Sequence, residues 1–180
     1  IDVLENAIYE ECLRIMAMHQ PVAVDLRQIA TTFMVTTDLE RMGDLAVDIA
    51  ERAEALAGLP DVLASSSPSG RVLSDKLQRM TDVGTSMVRQ SLDAFINMES
   101  PQARRVIRMD DEVDRYHEEI IRDLIARMQA SPEAVEPGLS LFSAVRHLER
   151  IADHATNIAE DVVYLVEGEI VRHRPHATAE

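Results

Sequence analysis

A fourteen-residue segment of this chain occurs twice, and this repeat constrains the fold more than any other feature of the sequence. Residues 38–51 read DLERMGDLAVDIAE and residues 147–160 read HLERIADHATNIAE, so each position recurs 109 residues later. Both copies carry oxygen-bearing side chains four residues apart, which are Glu40, Asp44 and Asp48 in the first acidic ladder and Glu149, Asp153 and Asn157 in the second. On an α-helix this spacing stacks side chains on one face. The sequence therefore predicts a duplicated helical unit.

The composition favours long helices that pack on one another. Apolar residues make up 46% of the chain, but aromatic residues only 3%, and there is no Trp. The strict alternation typical of strands is missing. A formal charge of −14 argues against nucleic acid and against anionic lipid as partners. The single Cys12 excludes an internal disulfide and fits a reducing cytoplasm, and we expect no segment that enters a membrane.

Proline and glycine residues mark where the helices begin and end. Pro21 follows Gln20 at one helix start, and Ser100 and Ser131 are each expected to be N-caps followed by proline. We predict five helices, near residues 1–19, 22–57, 70–98, 101–130 and 133–168. A Ser- and Pro-rich stretch from Gly58 to Gly70 separates the copies. We therefore divide the chain into a first helical repeat, a linker, a second repeat and a polar tail, at residues 1–58, 59–69, 70–170 and 171–180.

A further acidic row lies on the fourth predicted helix, at Asp110, Asp114 and Glu118. Each of these residues lies one position after a residue expected to face the helix–helix seam, as Glu149 and Asp153 do on the next helix. The seam residues are Met109, Val113 and His117 on the fourth helix, and Leu148 and Ala152 on the fifth. Two such rows on consecutive antiparallel helices can converge on shared cations. Oxygen ligands favour magnesium, manganese, calcium, iron or zinc. The competing interpretation is a solvated helix face whose charge is neutralised by Arg41 and Arg150.

The sequence contains few signs of catalysis. It has no glycine-rich phosphate loop, no nucleophile elbow and no cysteine metal knuckle. Di-iron carboxylate bundles need an acid followed three residues later by His on two helices, and here Asp114 and His117 supply that unit once. A metal-binding enzyme of di-iron type, or a metal buffer, is therefore the alternative to a non-catalytic protein.

Three segments of the chain resemble the PhoU family of phosphate-uptake regulators. They are QPVAVDLR at 20–27, LERMGD at 39–44 and LERIAD at 148–153. The resemblance covers nearly the whole chain. It implies an all-α fold of two tandem antiparallel three-helix bundles related by pseudo-twofold symmetry, with the first bundle lacking its first helix here. It also implies a cytoplasmic homodimer that is not an enzyme.

The resemblance further implies multinuclear metal clusters held by acid-x-x-x-Asp motifs. Iron or zinc is the expected metal, with magnesium or manganese as alternatives. Carried onto this sequence, the metal ligands are Glu40, Asp44, Asp48, Asp110, Asp114, Glu149, Asp153 and, with a neutral side chain, Asn157. The implied partners are the ATPase subunit of the high-affinity phosphate transporter and the membrane sensor kinase of the phosphate-starvation response.

The first copy departs from the second at its start. Taking Asp2 as the counterpart of Asp114, at an offset of 112, leaves about 40 residues of the repeat without an equivalent before Ile1. We therefore expect a longer source protein, an open flank in the first bundle, and no counterpart of Asp110 in the first ladder.

Overall fold

Five long α-helices account for nearly all of the computed structural model, which describes residues 1–57 and 68–171. A short 3₁₀ turn, Pro132–Ala134, precedes the last helix. The helices are α1 Asp2–His19, α2 Ala23–Ala57, α3 Pro68–Asn97, α4 Ser100–Ala130 and α5 Val135–Glu167. Their ends agree with the predicted ends to within two residues, and the described residues contain no strand. The predicted all-α class is therefore confirmed.

The helix ends show how local chemistry limits each element. Gln20, Met98 and Gly168 adopt a positive φ just beyond α1, α3 and α5, a conformation that stops a helix. One expected cap is wrong, because Glu99 is the N-cap of α4. Ser100 instead donates its hydroxyl hydrogen to Glu167, so this side chain ties the start of α4 to the end of α5.

Helices α3, α4 and α5 pack against each other in all three pairs and form a three-helix bundle. Its interior is apolar, and α3 contributes Leu73, Met80 and Met87, seven residues apart and fully buried. The facing side chains of α4 and α5 include Val106, Val113, Ile120, Leu124, Val145 and Val162, each 0% exposed. Burying one such side chain stabilises the fold by about 1.5–3 kcal/mol. This bundle holds the main core.

Helix α2 joins the first copy to the bundle. It packs along α5, whereas α1 packs on α2 alone. Small residues line the α5 ladder face at Ala152 and Ala155, which are fully buried, but their first-copy counterparts Gly43 and Ala46 are half-buried and exposed. The two copies thus have the same sequence pattern in different packing environments.

An apolar groove of about 680 Å³ lies between α1 and α2. The α1 residues that line it include Leu4, Ala7, Glu11 and Ile15, whose counterparts 109 positions later are Val113, Tyr116, Ile120 and Leu124. Those counterparts are buried in the bundle that α3 completes. The groove therefore corresponds to the place that α3 fills in the second copy. Cys12 lies in the same groove, only 6% exposed, and burial followed by the charge of Glu11 raises the pKa of its thiol.

Two predicted segments lie mostly outside the described residues. Only positions 68 and 69 of the predicted linker are described, as the start of α3, and only Val171 of the predicted tail. The predicted domain limits stay predictions.

Candidate functional site

The second acidic ladder meets the acidic row of α4 along the packed faces of α4 and α5. Asp110 and Asp114 lie on α4, and Glu149 and Asp153 lie on α5. A hydrogen bond fixes the alignment of the two helices, since Oγ1 of Thr156 donates to Oδ1 of Asp110 at 3.1 Å. We call these four acidic residues the carboxylate cluster.

The two central aspartates of the carboxylate cluster hold their protons unusually tightly. The pKa of Asp110 is raised from 3.8 to about 6, first by burial and then by the charges of Asp114 and Asp153, although the Thr156 hydrogen bond opposes the rise. The pKa of Asp153 is also raised to about 6, by burial and then by Glu149 and Asp114. Burial and like charge both disfavour ionisation. These carboxyls are therefore close enough to repel one another.

The other two carboxyls show the same influence. Burial raises the pKa of Glu149, and the charges of Asp114 and Asp110 raise it further, against Arg146 and Arg150. Burial also raises the pKa of Asp114, which neighbouring His117 lowers. The predicted convergence of acidic residues from α4 and α5 is thus present in the structure.

Two other residues of the acidic rows differ from the cluster. Glu118 is exposed and pairs with Arg122, 2.9 Å away on the same helix, so it belongs to the surface of α4. Asn157 lies half-buried on α5, next to Thr156 in the chain. The hydroxyl of Thr156, which sequence reasoning missed, is the neutral group that binds a cluster carboxyl. Its position three residues after Asp153, on nearly the same helix face, was the available signal.

The first acidic ladder lies on α2, close to one acidic residue of α1. The side chain of Glu40 is 19% exposed and lies 3.5 Å from the guanidinium of Arg41. Burial and then Asp44 raise the pKa of Glu40, and Glu5 of α1 adds to the rise. Asp44 is exposed and Asp48 half-buried. Two helices therefore contribute acidic residues here as well, as in the second copy.

The influence of the Glu5 charge on the pKa of Glu40 corrects the expected alignment of the first copy. Glu5 and Glu40 are the residues 109 positions before Asp114 and Glu149, and the charge of Asp114 likewise raises the pKa of Glu149. The offset of 109 therefore extends through α1, and Glu5 rather than Asp2 is the counterpart of Asp114. The counterpart of Asp110 is then Ile1, whose side chain packs directly on Gly43. An apolar residue stands where the second copy has an aspartate whose pKa is raised to about 6.

The donor set of the carboxylate cluster agrees in chemistry with a hard or borderline cation. Two helices contribute four carboxyl groups, and the pKa of each is raised. A positive charge among them would reduce the repulsion between the carboxylates. However, no three His, Cys, Asp or Glu side chains within residues 1–57 and 68–171 are grouped closely enough to hold one metal ion. The donors therefore suit a cation in type, but they are not arranged as a finished coordination sphere.

A hydrogen bond between the copies was also missed by sequence reasoning. Nδ1 of His154 on α5 donates to Oδ1 of Asp38 on α2 at 2.7 Å, and both side chains are largely buried. His147 and His154 are seven residues apart and share one face of α5, but nothing in the sequence pairs either of them with the first copy. This hydrogen bond connects the helices that carry the two acidic ladders.

The fold and these sites define an all-helical protein in which one helical unit, used twice, presents acidic rows at helix–helix contacts. No helix in the described ranges is long and apolar enough to cross a bilayer. The PhoU domain family model matches residues 1–53 and 77–162. The chain belongs to the PhoU family.

Individual relatives agree with this assignment. The phosphate-specific transport system accessory protein PhoU homolog of Pseudomonas putida is 41% identical over 173 residues, which are 96% of this chain and 64% of that protein. The chain thus spans less than two thirds of the length of this relative. The crystal structure of PhoU from Pseudomonas aeruginosa matches 93% of this chain and 77% of its own, with a TM-score of 0.77 and 38% identity. The phosphate transport system regulatory protein PhoU from Streptococcus pneumoniae matches with a TM-score of 0.79 and 30% identity, over 93% and 74% of the two chains.

Proposed function

We propose that this protein is a non-catalytic regulator of phosphate uptake. It acts in the cytoplasm and links the ATPase subunit of the high-affinity phosphate transporter to the sensor kinase of the phosphate-starvation response. The observation that carries the proposal is family membership along nearly the whole chain. The Pseudomonas aeruginosa relative, named an accessory protein of a phosphate-specific transport system, is 40% identical over 96% of this chain.

The charge of the chain supports a role in binding other proteins. It has 32 acidic and 18 basic side chains, excluding histidine. The outer face of α2 exposes Asp44, Glu51 and Glu54. An acidic surface accelerates association with basic partner surfaces and makes the complex sensitive to salt. We therefore propose that partner binding is electrostatic, and that the protein acts as a homodimer.

We also propose that the acidic ladders hold multinuclear metal clusters, with iron or zinc as the metal. In the second copy the ligands are Asp110, Asp114, Glu149 and Asp153, with Asn157 as a neutral neighbour. In the first they are Glu40, Asp44 and Asp48, joined by Glu5. The crowding of carboxyls supports this proposal, because a bound cation neutralises charges that otherwise repel. These carboxylates would hold the metal, which would supply positive charge between the neighbouring helices.

A deletion strain tests the regulatory role directly. We expect phosphate-starvation genes to be expressed in phosphate-rich medium when the gene is removed, and repression to return when it is restored. A second arm measures binding of the purified protein to the transporter ATPase subunit, which we expect to weaken as the salt concentration is raised tenfold. Normal repression in a strain with no related gene refutes the regulatory role and favours the metalloenzyme or metal-buffer alternative.

A further inference from the structure

The packing face between α2 and α5, which joins the two copies, is rich in polar side chains. Asp38 of α2 binds His154 of α5 across it. Side chains on the same face of α2 recur every three or four residues, at Arg27, Thr31, Val35, Asp38, Met42 and Leu45. On α5 the polar residues of this face recur every seven, at His147, His154 and Asp161. We call this face the inter-copy seam.

Several polar groups of the inter-copy seam are buried without compensation. Thr31 is 0% exposed. Its Oγ1, Nδ1 of His147 and Nε of Arg27 have no hydrogen-bond partner among the described parts of the chain. Closing the seam therefore removes these atoms from water and provides no hydrogen bond in return. Such atoms lower the stability of the closed arrangement.

The sequence repeat explains why His154 is hydrogen-bonded across the seam and His147 is not. Residues 109 positions apart are equivalent, so the counterpart of the Asp38–His154 pair is His147 with Leu45. Leu45 is 3% exposed and has no polar atom in its side chain. Nδ1 of His147 is consequently left without the hydrogen bond that His154 makes. His154 is therefore hydrogen-bonded across the seam, whereas the related His147 is not.

The three-helix bundle differs from the seam in its interior. The large side chains that are less than 2% exposed, within the described ranges, all lie on α3, α4 or α5, as Met80, Val113 and Leu165 do. Helix α2 contributes Val35, Met42 and Leu45, each slightly exposed. Moreover, α1 contacts α2 only, and α2 contacts the bundle only through α5. A single helix–helix face therefore holds the α1–α2 pair in place.

We infer that the inter-copy seam opens as a unit, so that the α1–α2 pair separates from the α3–α4–α5 bundle while the bundle stays folded. On opening, the unbonded seam atoms regain water and Val35 and Met42 lose their α5 neighbours, whereas the side chains packed against α3 stay dry. A bound partner or ion that favours either position of the α1–α2 pair shifts the balance between them. The motion does not depend on which partner the protein binds.

Thiol labelling measures this opening. In a Cys12→Ser background of the full chain, Val35→Cys places one thiol in the seam, and Val113→Cys places one in the bundle core as the matched control. We expect a thiol reagent to modify the seam cysteine about thirtyfold faster or more, because it needs only seam opening and the core cysteine needs unfolding. Circular dichroism and urea midpoints establish that both variants are folded and similarly stable.

Substitutions of the unbonded atoms then identify the cause. Thr31→Val or His147→Leu removes an unsatisfied polar group, so we expect labelling of Val35→Cys to slow about fivefold, with Val113→Cys unaffected. Asp38→Asn weakens the one bonded pair and is expected to accelerate labelling at position 35. Equal labelling rates for the seam and core cysteines overturn the inference, as do seam rates that none of the three substitutions changes.

Discussion

Thr156 donates a hydrogen bond from its hydroxyl to Oδ1 of Asp110, and this contact joins α5 to α4 at the centre of the carboxylate cluster. The acceptor is the acid whose pKa burial and three neighbouring aspartates raise to about 6. The hydrogen bond favours the ionised carboxylate and so works against those influences. A neutral hydroxyl thus keeps Asp110 closer to the state that binds cations.

Replacing Thr156 by valine tests this relationship at nearly constant volume. We expect the pKa of Asp110 to rise further, because the hydrogen bond that stabilises the charged form is lost. Carboxyl carbon chemical shifts followed through a pH titration measure the change. Thr156→Ser keeps the hydroxyl and serves as the control. An unchanged Asp110 titration in the valine variant contradicts the assignment.

Stability in the absence of metal is expected to depend on pH. Asp110 and Asp153 have a pKa of about 6 in the folded chain, against an ordinary value of 3.8. The folded state therefore binds protons more tightly, and the free energy of unfolding falls as pH rises from about 4 to about 6. Because the side chain of Asp153 is desolvated by its packed neighbours but still reaches solvent, where its charge is screened, we expect a combined loss of about 2 kcal/mol.

Urea unfolding at pH 5 and pH 7 with a chelator measures part of this loss. The control is the Asp110→Asn, Asp153→Asn double variant, in which the dependence is expected to flatten. Glu11 and Glu167 have lowered pKa values and influence stability in the opposite direction, but they are common to both proteins. If parent and double variant show the same pH dependence, the two aspartates are not its source.

Metal content is expected to respond more to the second ladder than to the first. Asp153→Ala removes a carboxyl that has Glu149 and Asp114 beside it, whereas Asp48→Ala acts in a copy where Ile1 replaces the counterpart of Asp110. Elemental analysis of protein purified without an affinity tag compares the two variants. Equal metal content in both means that this ranking of the two ladders is wrong.

Removing bound metal is expected to lower the melting temperature. A cation that binds only the native state stabilises it by about 2.7 kcal/mol at a hundredfold excess over Kd. For a chain of this length, that corresponds to a decrease of about 5–10 °C on chelation. Calorimetry with and without chelator provides the measurement. The absence of a shift favours the interpretation of the ladders as solvated faces.

Core packing is expected to dominate stability within the bundle. Met80 is 0% exposed between α4 and α5, so Met80→Ala should lower the free energy of unfolding by about 2–5 kcal/mol. Met18→Ala, at a side chain that is 66% exposed, should change it by about 0.5 kcal/mol at most. Urea titrations of both variants give the comparison, and similar losses would show that Met80 is not part of the core.

The sequence predicted the helices well because their ends depend on local chemistry. Pro21, Pro101 and Gly168 act through their own backbone preferences, so neighbouring residues suffice to locate each boundary. The convergence of Asp110 and Asp153 was also predictable, since consecutive helices of similar length pack antiparallel.

Tertiary alignment accounts for what the sequence did not predict. The role of Glu5 depends on how α1 is rotated about its axis against α2. The repeated segment, residues 38–51 and 147–160, does not include α1 and so does not determine that rotation. The Asp38–His154 hydrogen bond joins residues 116 positions apart on helices that are not neighbours in the chain. Such a pair depends on how the two copies dock, which motif spacing within either copy does not specify.

Because Cys12 is buried in the groove between α1 and α2, the reactivity of its thiol reports on movement of these two helices. This thiol is the only one in the sequence, it lies between α1 and α2, and its raised pKa keeps it protonated. An alkylating reagent therefore consumes it only when α1 moves away from α2. Any molecule that covers the groove slows that reaction, so occupancy of the groove can be followed in a crude lysate without an attached probe.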